Sequence, residues 1–202
     1  MRSNVCRIEN GTHDLNAIVA ESEKVAVYNG LNKKQTLQMR LLCEEIDGML
    51  PWIVEDFSGD LWIEFENDVC KVNVSLKLAE LTVDKKEKLI DIAKNKKNAE
   101  AVGIVGKIRS GIEDFLLDDG MLPHFQSLSN PFQLATGYNS GVDYSYVWTL
   151  EQYRNSVKQE DQEAAWDELE KSVIASVADD VIVGVKGKQV DIVVVKSFAQ
   201  GE

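Results

Sequence analysis

Histidine, cysteine and basic residues are all scarce in this 202-residue chain, and each shortage closes off a class of protein. The two histidines, His13 and His124, have no neighbour at metal-ligand spacing, which argues against zinc, and no Ser–His–Asp or Cys–His signature accompanies them. The three cysteines, Cys6, Cys43 and Cys70, are odd in number, far apart and set among apolar residues. That is the pattern of reduced packing residues in a cytoplasmic protein rather than of a disulfide framework. Lysine and arginine total 22 against 34 acidic residues, a net charge of -12. A phosphate backbone repels such a surface, so nucleic acid is not an expected partner. Long apolar runs are missing too: none approaches the ~20 residues that cross a bilayer, and the N-terminal "MRSNVCRIENGTHDL" lacks a signal-peptide core. No membrane association is expected.

What the chain does have is an ordinary globular composition, 44% hydrophobic and 28% charged, organised around one strong helix. In "LNKKQTLQMRLLCEEIDGMLP", Asn32 and Gln35 form a capping box, and Pro51 predicts a kink or stop. At about 100° per residue, Met39, Leu42, Cys43, Ile46, Met49 and Leu50 share one face, a core stripe. Leu37, Leu41, Glu44 and Gly48 share the opposite face, which calls either for a second helix packed there or for a pocket wall.

Around that helix, Val5–Ile8 reads as a short strand and Asp14–Asn29 as a helix closed by Gly30. After Phe57, "SGD" reads as a turn, followed by alternating strands Leu61–Glu66 and Cys70–Leu78 joined at Asn67-Asp68. Asp84 and Glu87 cap a helix leading into basic Lys94–Asn98, and Ile104, Ile108, Ile112 and Phe115 recur at helical spacing. Residues 121–147 show no period and read as an irregular insertion whose aromatics need burial. Thr149 and Gln152 cap a short helix, and a single helix carries Trp166, Leu169, Val173, Ile174 and Val177 inward. The last expected element is a hairpin at Lys186-Gly187-Lys188. Hairpins with helices between them predict an α+β fold, a two-layer sandwich with helices on one face of a mixed or antiparallel sheet, in a single domain over residues 1–202.

Few constellations carry chemistry. Glu44 and Glu45 point apart, and Asp47 lies one turn from Glu44, as on a solvated acidic helix edge. "AVGIVGK" fails as a Walker loop because Ala101 and Ile108 occupy key positions. Gly103, Gly106 and Lys107 still suit an anion at a helix start, or simply a tight turn. Asp179 and Asp180 could hold a cation, though such a pair more often forms a turn.

These residues, in this order, resemble the GHKL or histidine-kinase-like ATPase superfamily, nearest in style to anti-sigma-factor kinases. "LLCEEIDGML" has Glu44 at the family's general-base position and Gly48 where an Asn would hold magnesium. "KLAELTVDKKEK" lacks the adenine-binding Asp and glycines, while "KNKKNAEAVGIVGK" resembles the lid and phosphate-contacting helix start. The resemblance implies a Bergerat-like fold and a nucleotide pocket formed by Glu44, Asp47, Gly48, Asn98, Gly103, Gly106 and Lys107, with no metal ligand. "WTLEQYRNSV" and "ELEKSVIASVADDVIVGVKG" also resemble stretches of uncharacterised bacterial proteins.

Three functions follow from that resemblance. The first is a bacterial regulatory module that binds a protein partner, or a second copy of itself, without turning over ATP. The second is an active kinase or ATPase using Glu44, with Asp47 or Asp179 holding magnesium. The third is a small-molecule sensor using a cavity beside Leu37, Leu41 and Gly48. Tightly bound ATP and magnesium are not expected.

Overall fold

Alternation decides the sheet. The computed structural model describes residues 1–10, 14–54, 56–78, 103–117, 144, 146–159 and 163–198. Among these, six strands form one sheet in which every pairing is antiparallel: β1 (Cys6–Glu9), β2 (Phe57–Glu66), β3 (Val69–Leu78), β4 (Tyr146–Thr149), β5 (Asp180–Lys186) and β6 (Gln189–Ser197). The order across the sheet is β1-β2-β3-β6-β5-β4. The two hairpins are therefore joined edge to edge through β3 and β6, with Val72 opposite Val194 and Val74 opposite Ile192. Leu61, Ile63, Cys70, Val72, Val74, Val183, Val185, Ile192 and Val194 are buried on one face, under the helices.

Turn chemistry fixes the register. Asn67 and Asp68 both take positive φ (50° and 60°), the backbone twist that a two-residue hairpin turn between right-twisted strands requires. At the closing hairpin Gly187, at φ +55°, takes the first turn position.

The helical layer comprises α1 (Leu15–Tyr28), α2 (Lys33–Ile53), α3 (Gly103–Leu117), α4 (Leu150–Gln159), α5 (Glu163–Lys171) and α6 (Val173–Val177). In α2 the capping box is formed in full: Asn32 accepts from Lys34 and Gln35 amides, and Gln35 returns a bond to the Asn32 amide. Its core stripe is buried as the periodicity predicts, from Met39 to Ile53. α2 packs against α1, α3 and α6.

Four expectations need correction. Of the kink or stop expected at Pro51, the stop does not occur: α2 continues to Ile53. Proline there sits in the last turn, where removing one amide breaks a single helical bond and little helix remains to distort. "SGD" is not a turn: Ser58, Gly59 and Asp60 belong to β2 and pair with both β1 and β3. A side chain at Gly59 would overlap the Ser75 carbonyl oxygen, so the glycine marks close backbone approach inside a strand. The Trp166–Val177 helix is two helices, broken where Ser172 leaves the helix and caps α6 by accepting from the Ala175 amide. Val173 is consequently exposed rather than inward. The insertion also ends earlier than 147, because Tyr146 and Val147 belong to β4. The expected helix at 84–93 and most of 121–147 fall outside the described residues.

The other face of the sheet is not uniformly wet. Tyr144, Ile182 and Val193 are buried there together, with Val147 and Val195 alongside. Asp191 is buried beside them and accepts from the Tyr144 hydroxyl and from Gln189 Nε2 (2.7 Å).

Candidate functional site

The described residues expected to form a nucleotide pocket are split between α2 and α3: Gly48 and Lys107 are exposed, Glu44, Asp47 and Gly103 half-buried, and Gly106 buried. Leu37, Leu41, Glu44, Gly48 and Trp52 follow one another at helical spacing, opposite the core stripe of α2. Leu37 is 63% exposed and Trp52 67% exposed. Gly48 is exposed, and a side chain there would meet nothing within 4 Å. Among the described residues, then, no helix covers the second face of α2 along its length and no closed cavity opens on it.

Glu44 is half-buried and engaged: Arg40 Nε donates to it at 2.8 Å, an i,i+4 pair. Arg40 also lies 3.7 Å from Glu23 of α1, an exposed ion pair between the two helices. One turn beyond that pair, toward the α1–α2 connection, stand Val27, 77% exposed, and Leu37. Asp47 is half-buried on α2. Gly103 opens α3 with φ +86° and open space beside it, Gly106 is buried and Lys107 is exposed. The structure brings α2 and α3 into contact as elements, but a Cβ added at Gly48 or at Gly103 would meet nothing within 4 Å. Asn98 lies outside the described residues.

The fit to a magnesium–nucleotide site is poor on these side chains. Gly48 offers no oxygen, and Glu44 is held by Arg40. Asp179, the alternative metal ligand, accepts from Lys196 Nζ (2.8 Å) and the Ser197 amide (2.6 Å), tying the end of β6 to the start of β5. Asp180 caps α4 by accepting from the Glu151 amide (3.0 Å), and burial pushes its carboxyl above the ordinary range. Among the described residues, no three His, Cys, Asp or Glu side chains converge as a metal site would require. The aspartate pair is turn and cap structure.

Sequence reasoning missed one concave feature, a cleft of about 390 Å³ between β1 and α1, lined by Asn4, Cys6, Asp14, Ala17, Glu21 and Lys24 among others. Its origin is a one-residue bulge. Arg2 lies opposite Glu64 and Cys6 opposite Leu61, so three residues face two across the strands. The Asn4 amide turns away from β2 and donates to Glu21 Oε2 (3.1 Å), while Asn4 Nδ2 (3.2 Å) and Lys24 Nζ (2.6 Å) hold Oε1. The Lys24 bond, joined by those from Asn4, outweighs burial and keeps the Glu21 carboxyl below its ordinary range. Nothing in a sequence pattern signals a bulge at Asn4, because it depends on a helix carboxylate that is distant in the chain.

The cysteines are packing residues, as expected. Burial raises the Cys70 thiol to about 12 and drives Cys43 higher still, and it raises Cys6 in the cleft, with Glu21 adding to the effect. None is poised as a thiolate nucleophile. No helix among the described residues is long and apolar enough to cross a membrane. No family model, curated protein or solved structure matches this chain.

Proposed function

We propose that this chain is a regulatory protein-binding module of histidine-kinase-like architecture that works through the outer face of α2 and does not turn over ATP. The observation that carries the reading is the pair of large apolar side chains, Leu37 and Trp52, standing exposed about four turns apart with the bare backbone of Gly48 between them. Exposed aromatic and aliphatic anchors on a rigid helix are what a partner buries, whereas catalysis of phosphoryl transfer needs positioned charge, which Gly48 and the Arg40-bound Glu44 do not supply.

The experiment is affinity capture with purified full-length protein, comparing the native chain with Leu37→Asp and Trp52→Asp. Both side chains are exposed, so both variants keep the native melting temperature while losing the partner. Capture that survives both changes removes the reading. A parallel assay measures phosphate release from ATP with magnesium. Release that Glu44→Ala abolishes replaces the module with an active ATPase.

The cleft beside β1 favours a second reading, small-molecule sensing, because Asp14 and the Lys24-paired Glu21 place polar groups on its wall. A thermal-shift panel of small amines tests it: stabilisation lost in Glu21→Gln supports a cationic ligand, and a flat panel argues against one.

A further inference from the structure

We infer that the occupant of this face is a second copy of the chain, with the two α2 helices packed antiparallel about a two-fold axis passing between Glu44 and Glu45. The inference rests on the reading of the α2 face as a docking surface, and three observations select a copy of the chain as its occupant.

The first is shape. Under that symmetry Leu37 stands opposite the partner's Trp52, and Leu41 stands opposite the partner's Gly48. A closed, isologous contact requires a surface that complements itself when turned end for end. The stripe does so, large against large at its ends and large against absent beside its centre. Leu41, half-buried, is the knob, and the open space at Gly48 is the hole.

The second is charge. α2 carries Lys33 and Lys34, both exposed, in its first turn, has no acidic residue there, and has no basic residue in its last turn. Within one chain this is the wrong way round, because cations oppose the positive end of the helix dipole and the negative end is left uncompensated. In an antiparallel pair each lysine couple moves to the carbonyl end of the other α2, so both helices are compensated at once.

The third is cost. Glycine inside a helix is unfavourable relative to alanine, and among the described residues no contact uses the space at Gly48. Close approach by another helix is what that space allows. Near the axis, Glu44 keeps its own Arg40 at 2.8 Å, which leaves that guanidinium beside the partner's Glu45 and offsets the acidic crowding.

The test is sedimentation velocity on the full chain over a range of concentration, with Gly48→Leu, Trp52→Asp and the double variant Lys33→Glu/Lys34→Glu. The expected result is a monomer–dimer equilibrium whose dissociation constant rises about tenfold or more in each variant, with the circular dichroism spectrum unchanged. Gly48→Leu is the decisive variant, because it adds apolar surface and weakens association only if a neighbour fills that space. A chain that stays monomeric at every concentration, or a dimer that Gly48→Leu and Trp52→Asp leave intact, overturns the pairing. A monomer whose Trp52→Asp variant still loses a different captured protein overturns the pairing alone and leaves the docking reading standing.

Discussion

Gly59 and Gly48 are chemically identical and structurally opposite. At Gly59 an added Cβ overlaps the backbone of β3, so Gly59→Ala forces two paired strands apart. It is expected to cost about 1–3 kcal/mol, read as a lowered urea midpoint. At Gly48 the added methyl meets nothing, and Gly48→Ala is expected to stabilise the isolated chain by about 0.5–1 kcal/mol in the same measurement. Glu21 gives a pH signature at this scale. Its carboxyl is held below the ordinary range, first by Lys24 and then by Asn4 against the cost of burial. The folded state therefore binds that proton less readily than the unfolded state. The resulting stability is present above the unfolded value and is lost as pH falls through the folded one. Glu21→Gln should flatten this acid limb in melting temperatures measured from neutral to acid pH, and an unchanged limb would assign the acid sensitivity to other carboxylates.

At the scale of elements, the short helices are held by bonds from elsewhere. α6 has only 5 residues, below the length at which a helix is stable alone. Ser172 caps its start, and from α4 Arg154 reaches its end, donating to the carbonyls of Ala175, Ala178 (3.4 Å) and Asp179 (3.0 Å). A guanidinium at helix-terminal carbonyls satisfies acceptors that the helix itself leaves open. Arg154→Met keeps the aliphatic stem and removes the donors. The expected loss is about 1.5–3 kcal/mol, with amide exchange rising first in α6 and at the start of β5. Exchange rising uniformly instead would mean that Arg154 does not act locally. Asn32→Ala, which removes the capping-box acceptor of α2, is expected to cost about 1 kcal/mol.

For the whole molecule, net charge sets how copies meet. Two chains of net charge -12 repel at long range, whereas the attraction of each lysine couple for a helix end acts only once the helices are in contact. Salt shortens the reach of the repulsion to roughly 10 Å at 0.1 M while leaving apolar contact intact. Self-association is therefore expected to strengthen as salt is added, measured by sedimentation at fixed protein concentration. Association that weakens with salt would instead indicate attraction between opposite charges, as with a basic partner.

Much of the fold was legible because its signals are local. The period-two runs Leu61–Glu66 and Cys70–Leu78, the closing hairpin, the capping box of α2 and the Asn67-Asp68 turn each lie within a few residues of chain, and each formed. Where local chemistry was ambiguous, packing decided. "SGD" has turn residues, yet it is a strand because Gly59 pairs with Ile8 on one side and Leu76 on the other. The Trp166–Val177 stretch has helical period throughout, yet it breaks at Ser172, where the hydroxyl caps α6. The candidate site was legible only in part. Sequence periodicity alone determined that Leu37, Leu41, Glu44 and Gly48 share a face of α2. Only the tertiary structure decided that this face looks outward, that Glu44 is tied to Arg40, and that a cleft lies at the β1 bulge. The reason is physical: periodicity fixes directions around one helix axis, whereas exposure depends on what the remaining chain brings to each side.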